Sequence, residues 1–211
     1  MSREDGVEAL LVRHGQSTAN VSGIWQGRLD YELSEMGRDQ ARRTGRSLAG
    51  AQPAGIYTSP LTRAAQSARL IAGEVGYPPE EVMYLDHLTE RGGGLLEGHT
   101  WHEFEDRHPE ASRRFFELPD EERWEYLGAE STASALSRMR RALECIRPRH
   151  GCGETVILVS HGGLLGSFFL EEFGPEVPGR ETALANGSIT RLVLGMTGPR
   201  IAGVGDVSHL G

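Results

Sequence analysis

The sequence predicts an α/β fold of three layers, a mostly parallel central sheet with helices on both faces. Short continuous apolar runs, Ala9-Leu10-Leu11-Val12 and Val156-Ile157-Leu158-Val159 among them, read as strands buried on both faces. They alternate with longer stretches of helical periodicity, the order a parallel sheet needs because each crossover must return over one of its faces. Both runs lead into a histidine followed by glycine, Arg13-His14-Gly15 and Ser160-His161-Gly162-Gly163. The carboxyl ends of the strands form the binding crevice of an open α/β sheet, so two histidines distant in the chain are expected to converge on one pocket.

The elements follow in order. The first strand centres on Leu11-Val12, and a polar loop over residues 15–31 comes next, longer than ordinary βα connections and therefore a candidate functional loop. Ser34 reads as the N-cap of a helix to about residue 49, ended by Gly50 and Pro53. Gly55-Ile56-Tyr57-Thr58 is a second strand, broken by Ser59-Pro60, and residues 63–75 are helical with Ala64, Ala68, Ile71 and Val75 on one side. Val82-Met83-Tyr84-Leu85 is a third strand, followed by the glycine-rich turn Glu90-Arg91-Gly92-Gly93-Gly94. A charged helical stretch over residues 100–126 opens on the capping box Thr100-Trp101-His102-Glu103. With its flanks, roughly residues 98–128, it reads as a helical lid inserted into a single domain spanning residues 1–211. A helix over residues 132–146 leads to the strand before His161, residues 164–173 form an apolar helix, and strands over 188–194 and 200–204 close the sheet.

Composition narrows the function. With 38% hydrophobic and 25% charged residues the chain has the make-up of a globular protein, and a net charge of −8 predicts neither nucleic acid nor a membrane surface as partner. Lysine is absent, so all 22 basic side chains are arginine, which excludes a lysine nucleophile, a Schiff base and a P-loop lysine. Cys145 and Cys152 match neither a redox nor a zinc pattern, and with an acidic start at residues 1–5 and no long apolar segment the expected location is cytoplasmic.

Arg-His-Gly alone is weak evidence. Given 22 arginines, 8 histidines and 28 glycines in 211 residues, about one such chain in ten carries it by chance. The chain holds its own control in His150-Gly151, which follows Arg-Pro-Arg at a helix end and reads as an exposed last-turn histidine. Position after a buried strand sets His14 and His161 apart. Trp25, Trp101, Phe104 and Trp124 read either as walls of an apolar substrate pocket or, for most of them, as amphipathic packing. Arg113-Arg114 reads as a solvated helix face rather than a second anion contact.

The stretch Leu11-Val12-Arg13-His14-Gly15-Gln16-Ser17-Thr18-Ala19-Asn20 resembles the opening motif of the histidine phosphatase superfamily, also called phosphoglycerate mutase-like. Gln26-Gly27, Leu33-Ser34 with Gly37, Thr58-Ser59-Pro60-Leu61-Thr62-Arg63-Ala64, Leu88-Thr89-Glu90, Glu97-Gly98 and Ser160-His161-Gly162 follow in the family's order and at its approximate spacings. The resemblance covers positions 8 to about 194 and implies a phosphoglycerate mutase-like fold. It further implies that His14 is the phosphorylated nucleophile, that Arg13, Arg63 and His161 complete the phosphate pocket, and that Glu90 supplies the proton. The chemistry agrees. A phosphate monoester carries nearly two negative charges, and guanidinium forks match its oxygens and the charge of a loose transition state. His14 must attack as neutral imidazole, which nearby arginines favour, and His161 suits a donor to the transferring group. No metal or other cofactor is then required.

Glu97 is a rival acid, although the resemblance assigns it to the Glu-Gly pair that closes a motif, a structural position. Taken singly, Arg63 reads as an ordinary first-turn helix residue and Arg13 as an ion-pair partner. Ser17, Asn20, Gln26 and Gly27 in the long loop, with Gly162, are candidate contacts to phosphate or substrate, against an equal claim for turn chemistry in the loop.

The implied activity is a metal-independent phosphomonoesterase acting on a small phosphorylated metabolite. Cofactor-dependent mutases of this family carry a tyrosine shortly after the catalytic glutamate and a substrate-binding lysine, and Glu90-Arg91-Gly92-Gly93 in a chain without lysine departs from both. The alternatives are a phosphoglycerate mutase, a protein phosphatase, or a non-catalytic phospho-ligand binder. The presence of all five core residues argues against the last. A homodimer is compatible with the sequence.

Overall fold

The computed structural model describes residues 6–174 and 185–211; the acidic start at residues 1–5 lies outside them. Strands β1 (Val7–Arg13), β2 (Gly55–Thr58), β3 (Met83–Tyr84), β4 (Thr155–Ser160), β5 (Ile189–Gly195) and β6 (Gly198–Asp206) form one sheet in the order β3-β2-β4-β1-β5-β6. The first four are parallel, while β5 pairs antiparallel with both β1 and β6, so the sheet is mostly parallel as predicted. The register sets the site. Val12 pairs with Val159 and Arg13 with Ser160, so His14 and His161 each follow the last paired position of adjacent strands.

Alternation along the strands divides the core between two faces. Leu10, Val12, Ile56, Ile157 and Val159 pack on one side with Ala64, Ala68 and Ile71 of helix α3 (Thr62–Val75), which lies beside α2 (Glu35–Ser47). Leu11, Tyr57, Val156 and Leu158 pack on the other with Met139 of α7 (Thr132–Ile146) and Phe168 of α8 (Gly162–Phe173). Ser34 caps α2 through a bond from the Gly37 N–H, and α3 stops at Gly76, where φ is +74°.

Several readings change. The loop over residues 15–31 holds a single helical turn, α1 (Thr18–Val21), closed by a capping box between Ser17 and Asn20; four residues are too few to show a period. The charged stretch over 100–126 is three helices, α4 (Trp101–Arg107), α5 (Pro109–Glu117) and α6 (Asp120–Tyr126), because Pro109 and Pro119 each interrupt the ladder. Phe104 and Phe115 meet Leu96 and Leu127 in a cluster separate from the two sheet faces, with Trp101 and Trp124 against it. Arg113 and Arg114 pair with Glu117 on the exposed side of α5. β3 has two residues where four were expected, and β6 has nine where five were expected.

His150 is not exposed. Its side chain is only 7% exposed, with Nε2 2.8 Å from the Tyr57 hydroxyl and Nδ1 3.2 Å from Glu154 Oε2. It lies at the amino end of the sheet, against Gly55 at the start of β2, away from the other two histidines. Among the described residues no helix is long and apolar enough to cross a membrane.

Candidate active site

The structure brings His14 and His161 together with ring centroids 5.0 Å apart and planes inclined at 62°. The His14 N–H reaches across to the Ser160 carbonyl at 3.0 Å, extending the contact between β1 and β4 by one residue. Behind it, the His14 carbonyl accepts from Asn186 Nδ2 at 3.0 Å, and the Arg13 carbonyl from the Gly187 N–H at 3.0 Å. Gly15 then turns against α2 so closely that a Cβ there would lie 2.2 Å from the Gly37 carbonyl oxygen.

The His14 ring has a defined tautomer. Nδ1 is 2.6 Å from the Gly15 carbonyl oxygen, which only accepts, so Nδ1 carries the proton and Nε2 keeps its lone pair. Burial, at 2% exposure, and then the charges of Arg13 and Arg63 push the ring's proton affinity well below the usual histidine range, outweighing the Gly15 bond. His161, at 0% exposure, is lowered in the same way by burial first and then by Arg63, His14, Arg13 and Arg138. Its Nε2 lies 2.8 Å from Ser59 Oγ, which accepts from the Leu61 N–H, and its Nδ1 has no hydrogen-bond partner among the described residues.

Arg63 enters from the first turn of α3, buried to 1% exposure, and donates from Nη1 to the Leu29 carbonyl at 2.9 Å and from Nη2 to the Gly27 carbonyl at 2.8 Å. It therefore holds the loop after β1 as well as charging the site. Arg13 packs over Gly162, where a Cβ would sit 3.2 Å from its guanidinium, and a Cβ on Gly163 would fall 2.7 Å from Glu90 Oε1. The two glycines let an arginine and a carboxylate approach the start of α8. Burial lowers the proton affinity of both arginines, and the nearby Glu90 charge opposes it.

Glu90 and Glu97 separate by partner. Glu90 caps α8, its Oε1 accepting from Leu164 N at 2.8 Å and Arg91 N at 2.7 Å and its Oε2 from Gly163 N at 3.0 Å. Glu97 Oε1 accepts from Gly93 N at 2.8 Å and Arg28 N at 3.1 Å, joining the glycine-rich turn to the loop after β1. A cavity of about 430 Å³ opens beside them, lined by Arg13, Glu90 and Gly162 and, among others, by Asn20, Gln26 and Gly27. Trp25, Trp124 and Arg91 form part of its wall, with the Arg91 guanidinium 5.3 Å over the Trp124 ring. Ser17 is buried and is not a lining residue; its hydroxyl lies 2.8 Å from Gln26 Oε1 and accepts from the Asn20 N–H. Trp101 and Phe104 pack in the cluster of α4 to α6.

A model of the histidine phosphatase superfamily, branch 1, matches residues 9–207. The chain belongs to that family. It is similar to a metal-independent phosphoserine phosphatase of Arabidopsis thaliana, 35% identical over 96% of this chain and 83% of the relative. It is also similar to a 2,3-bisphosphoglycerate-dependent phosphoglycerate mutase of Methylorubrum populi, 34% identical over 74% of each chain. Among solved structures, a phosphoserine phosphatase mutant from Entamoeba histolytica, in complex with phosphoserine, superposes with a TM-score of 0.77 at 26% identity, over 97% of this chain and 100% of the other.

Ser59, which touches His161, and the ion pair of Arg138 with Glu130 behind the Glu90 segment were not singled out from sequence. Ser59 stood inside a quoted motif, and its hydroxyl was the available signal. Arg138 and Glu130 carry no local signal, since on a helix and before one they read as solvated charges. Among the described residues no group of three or more His, Cys, Asp or Glu side chains is arranged to hold a metal ion.

Proposed function

We propose that this phosphatase hydrolyses a small phosphorylated metabolite in two steps through a phosphohistidine on His14. The observation that carries the reading is the bond from Nδ1 to the Gly15 carbonyl, which leaves Nε2 unprotonated in the field of Arg13 and the buried Arg63. In the first step the Nε2 lone pair forms the N–P bond as the ester P–O bond breaks, and Glu90 gives its proton to the departing alkoxide. In the second, Glu90 takes a proton from water, the water oxygen attacks phosphorus and the N–P bond breaks, releasing inorganic phosphate. Arg13 and Arg63 balance the charge on the phosphoryl oxygens, and His161 donates to them. That work needs no metal ion.

Asn20, Gln26, Gly27 and Gly162 contact the substrate, with Ser17 holding Gln26. Residues 98–128 are a helical insertion that places Trp124 over the cavity, within one domain. The acidic net charge supports an enzyme without nucleic-acid or membrane partner, and we take it to be cytoplasmic, as monomer or homodimer. The similarity to phosphoserine phosphatases makes phosphoserine the first substrate to test. Phosphate release from a panel of phosphorylated metabolites, headed by phosphoserine and including 3-phosphoglycerate, is the experiment. Turnover of none of them, with the protein folded, contradicts the reading, and isomerisation of 3-phosphoglycerate instead of hydrolysis favours the mutase.

A further inference from the structure

Glu90 sits in a segment with little structure of its own. A short 3-10 turn, Asp86–Leu88, precedes it and Gly92, Gly93 and Gly94 follow, so local preference does not fix its backbone. Besides the bonds of its carboxylate to the start of α8 and one from Arg28 Nε to its carbonyl at 3.3 Å, an ion pair outside the reaction centre holds that backbone. Arg138 on α7 and Glu130, with side chains only 16% and 10% exposed, meet fork to carboxylate, Nε to Oε1 at 2.8 Å and Nη2 to Oε2 at 2.6 Å. The remaining donors of Arg138 go to the backbone around Glu90: Nη1 to the carbonyls of His87 at 3.1 Å and Thr89 at 2.7 Å, and Nη2 to that of Glu90 at 3.4 Å. Glu130 holds the other side with its own backbone, its N–H donating to the Gly92 carbonyl at 2.9 Å and its carbonyl accepting from Arg91 Nε. The pair is thus bonded to the chain on both sides of Glu90. Burial alone would raise the Glu130 carboxyl, but bonds from Arg138 and Ser134 and the charges of Arg138 and Arg28 hold it at about 2, so the clamp is ionised throughout the working range.

We propose that Arg138, locked by Glu130, is a positioning residue for Glu90 and acts on proton delivery to the leaving group. The inference rests on the proposed role of Glu90 as the acid. Its geometry distinguishes it from a charge effect, because lysine in place of arginine keeps the charge and loses the fork. Arg138→Lys and Glu130→Gln are compared with wild type and Glu90→Gln, using kcat/KM for an alkyl phosphate and for p-nitrophenyl phosphate, whose nitrophenolate leaves with little need of a proton.

A misplacement of about 1 Å costs on the order of 100-fold, so each clamp variant is expected to lose about 10- to 100-fold on the alkyl ester. On p-nitrophenyl phosphate the loss is expected to stay under about threefold, because the better leaving group needs little acid catalysis. Wild-type rates for Arg138→Lys, or equal losses on both esters while Glu90→Gln remains selective, overturn the inference alone. Equal losses for Glu90→Gln overturn the acid assignment and the inference with it. If one clamp variant fails to fold, the other carries the same comparison.

Discussion

His14 is conditioned by neighbours that act on different atoms. The Gly15 carbonyl takes the Nδ1 proton, burial and two arginines disfavour a second proton, and the backbone is tied at Ser160 and Asn186. Both imidazoles should therefore stay neutral in mildly acid solution. Histidine-detected NMR is expected to show His14 and His161 untitrated at pH 5.5, and a midpoint at the ordinary value of about 6.5 for either ring contradicts this. Glu97 supplies a second prediction at this scale. Because its carboxylate joins two backbone segments, Glu97→Gln should lower kcat/KM for alkyl and nitrophenyl esters by the same factor; selective loss on the alkyl ester would return it to candidacy as the acid. Motif residues were legible at this scale because each carries a chemical signature. Which segments Glu90 and Glu97 tie together was not, since that depends on which backbone N–H groups face each carboxylate.

Among the elements, the paired strands β1 and β4 were the most legible, because strands buried on both faces carry near-continuous apolar runs, here Ala9 to Val12 and Val156 to Val159. The register Arg13 to Ser160 then turns two sequence positions into neighbours. The stretch over residues 100–126 was legible as helical but not as three helices, since its composition continues across Pro109 and Pro119. Those breaks let Phe104 and Phe115 converge on Leu96 just beyond Glu90, so the small cluster supports the cavity wall. Phe104, fully buried, should cost about 3–5 kcal/mol when replaced by alanine, measured by urea unfolding, a range typical of buried aromatic truncations. A loss below about 1 kcal/mol, the scale of an exposed substitution, would show that the cluster is not a working part of the core.

For the whole molecule, burying two neutral histidines links stability to pH. The folded rings bind protons less readily than the unfolded ones, so between their lowered values and about 6.5 the unfolded chain holds more protons. Stability therefore falls as pH drops through 6.5 and is flat with respect to these groups above it. Urea midpoints at pH 7.5 and 5.5 should differ in wild type and converge in a His14→Asn, His161→Asn variant; an unchanged difference would place the linkage elsewhere. The charge balance of the site makes a further prediction, that EDTA leaves turnover unchanged, and complete loss restored by magnesium would require a metal the account does not use.

The central claim is that a phosphoryl group passes through His14, and rapid quenching during the first turnover of p-nitrophenyl phosphate tests it most directly. The account predicts an acid-labile, base-stable phosphate mapping to His14 and missing from His14→Ala. Release of nitrophenol with no covalent phosphate at any time, or a phosphate that maps to His161, would contradict it.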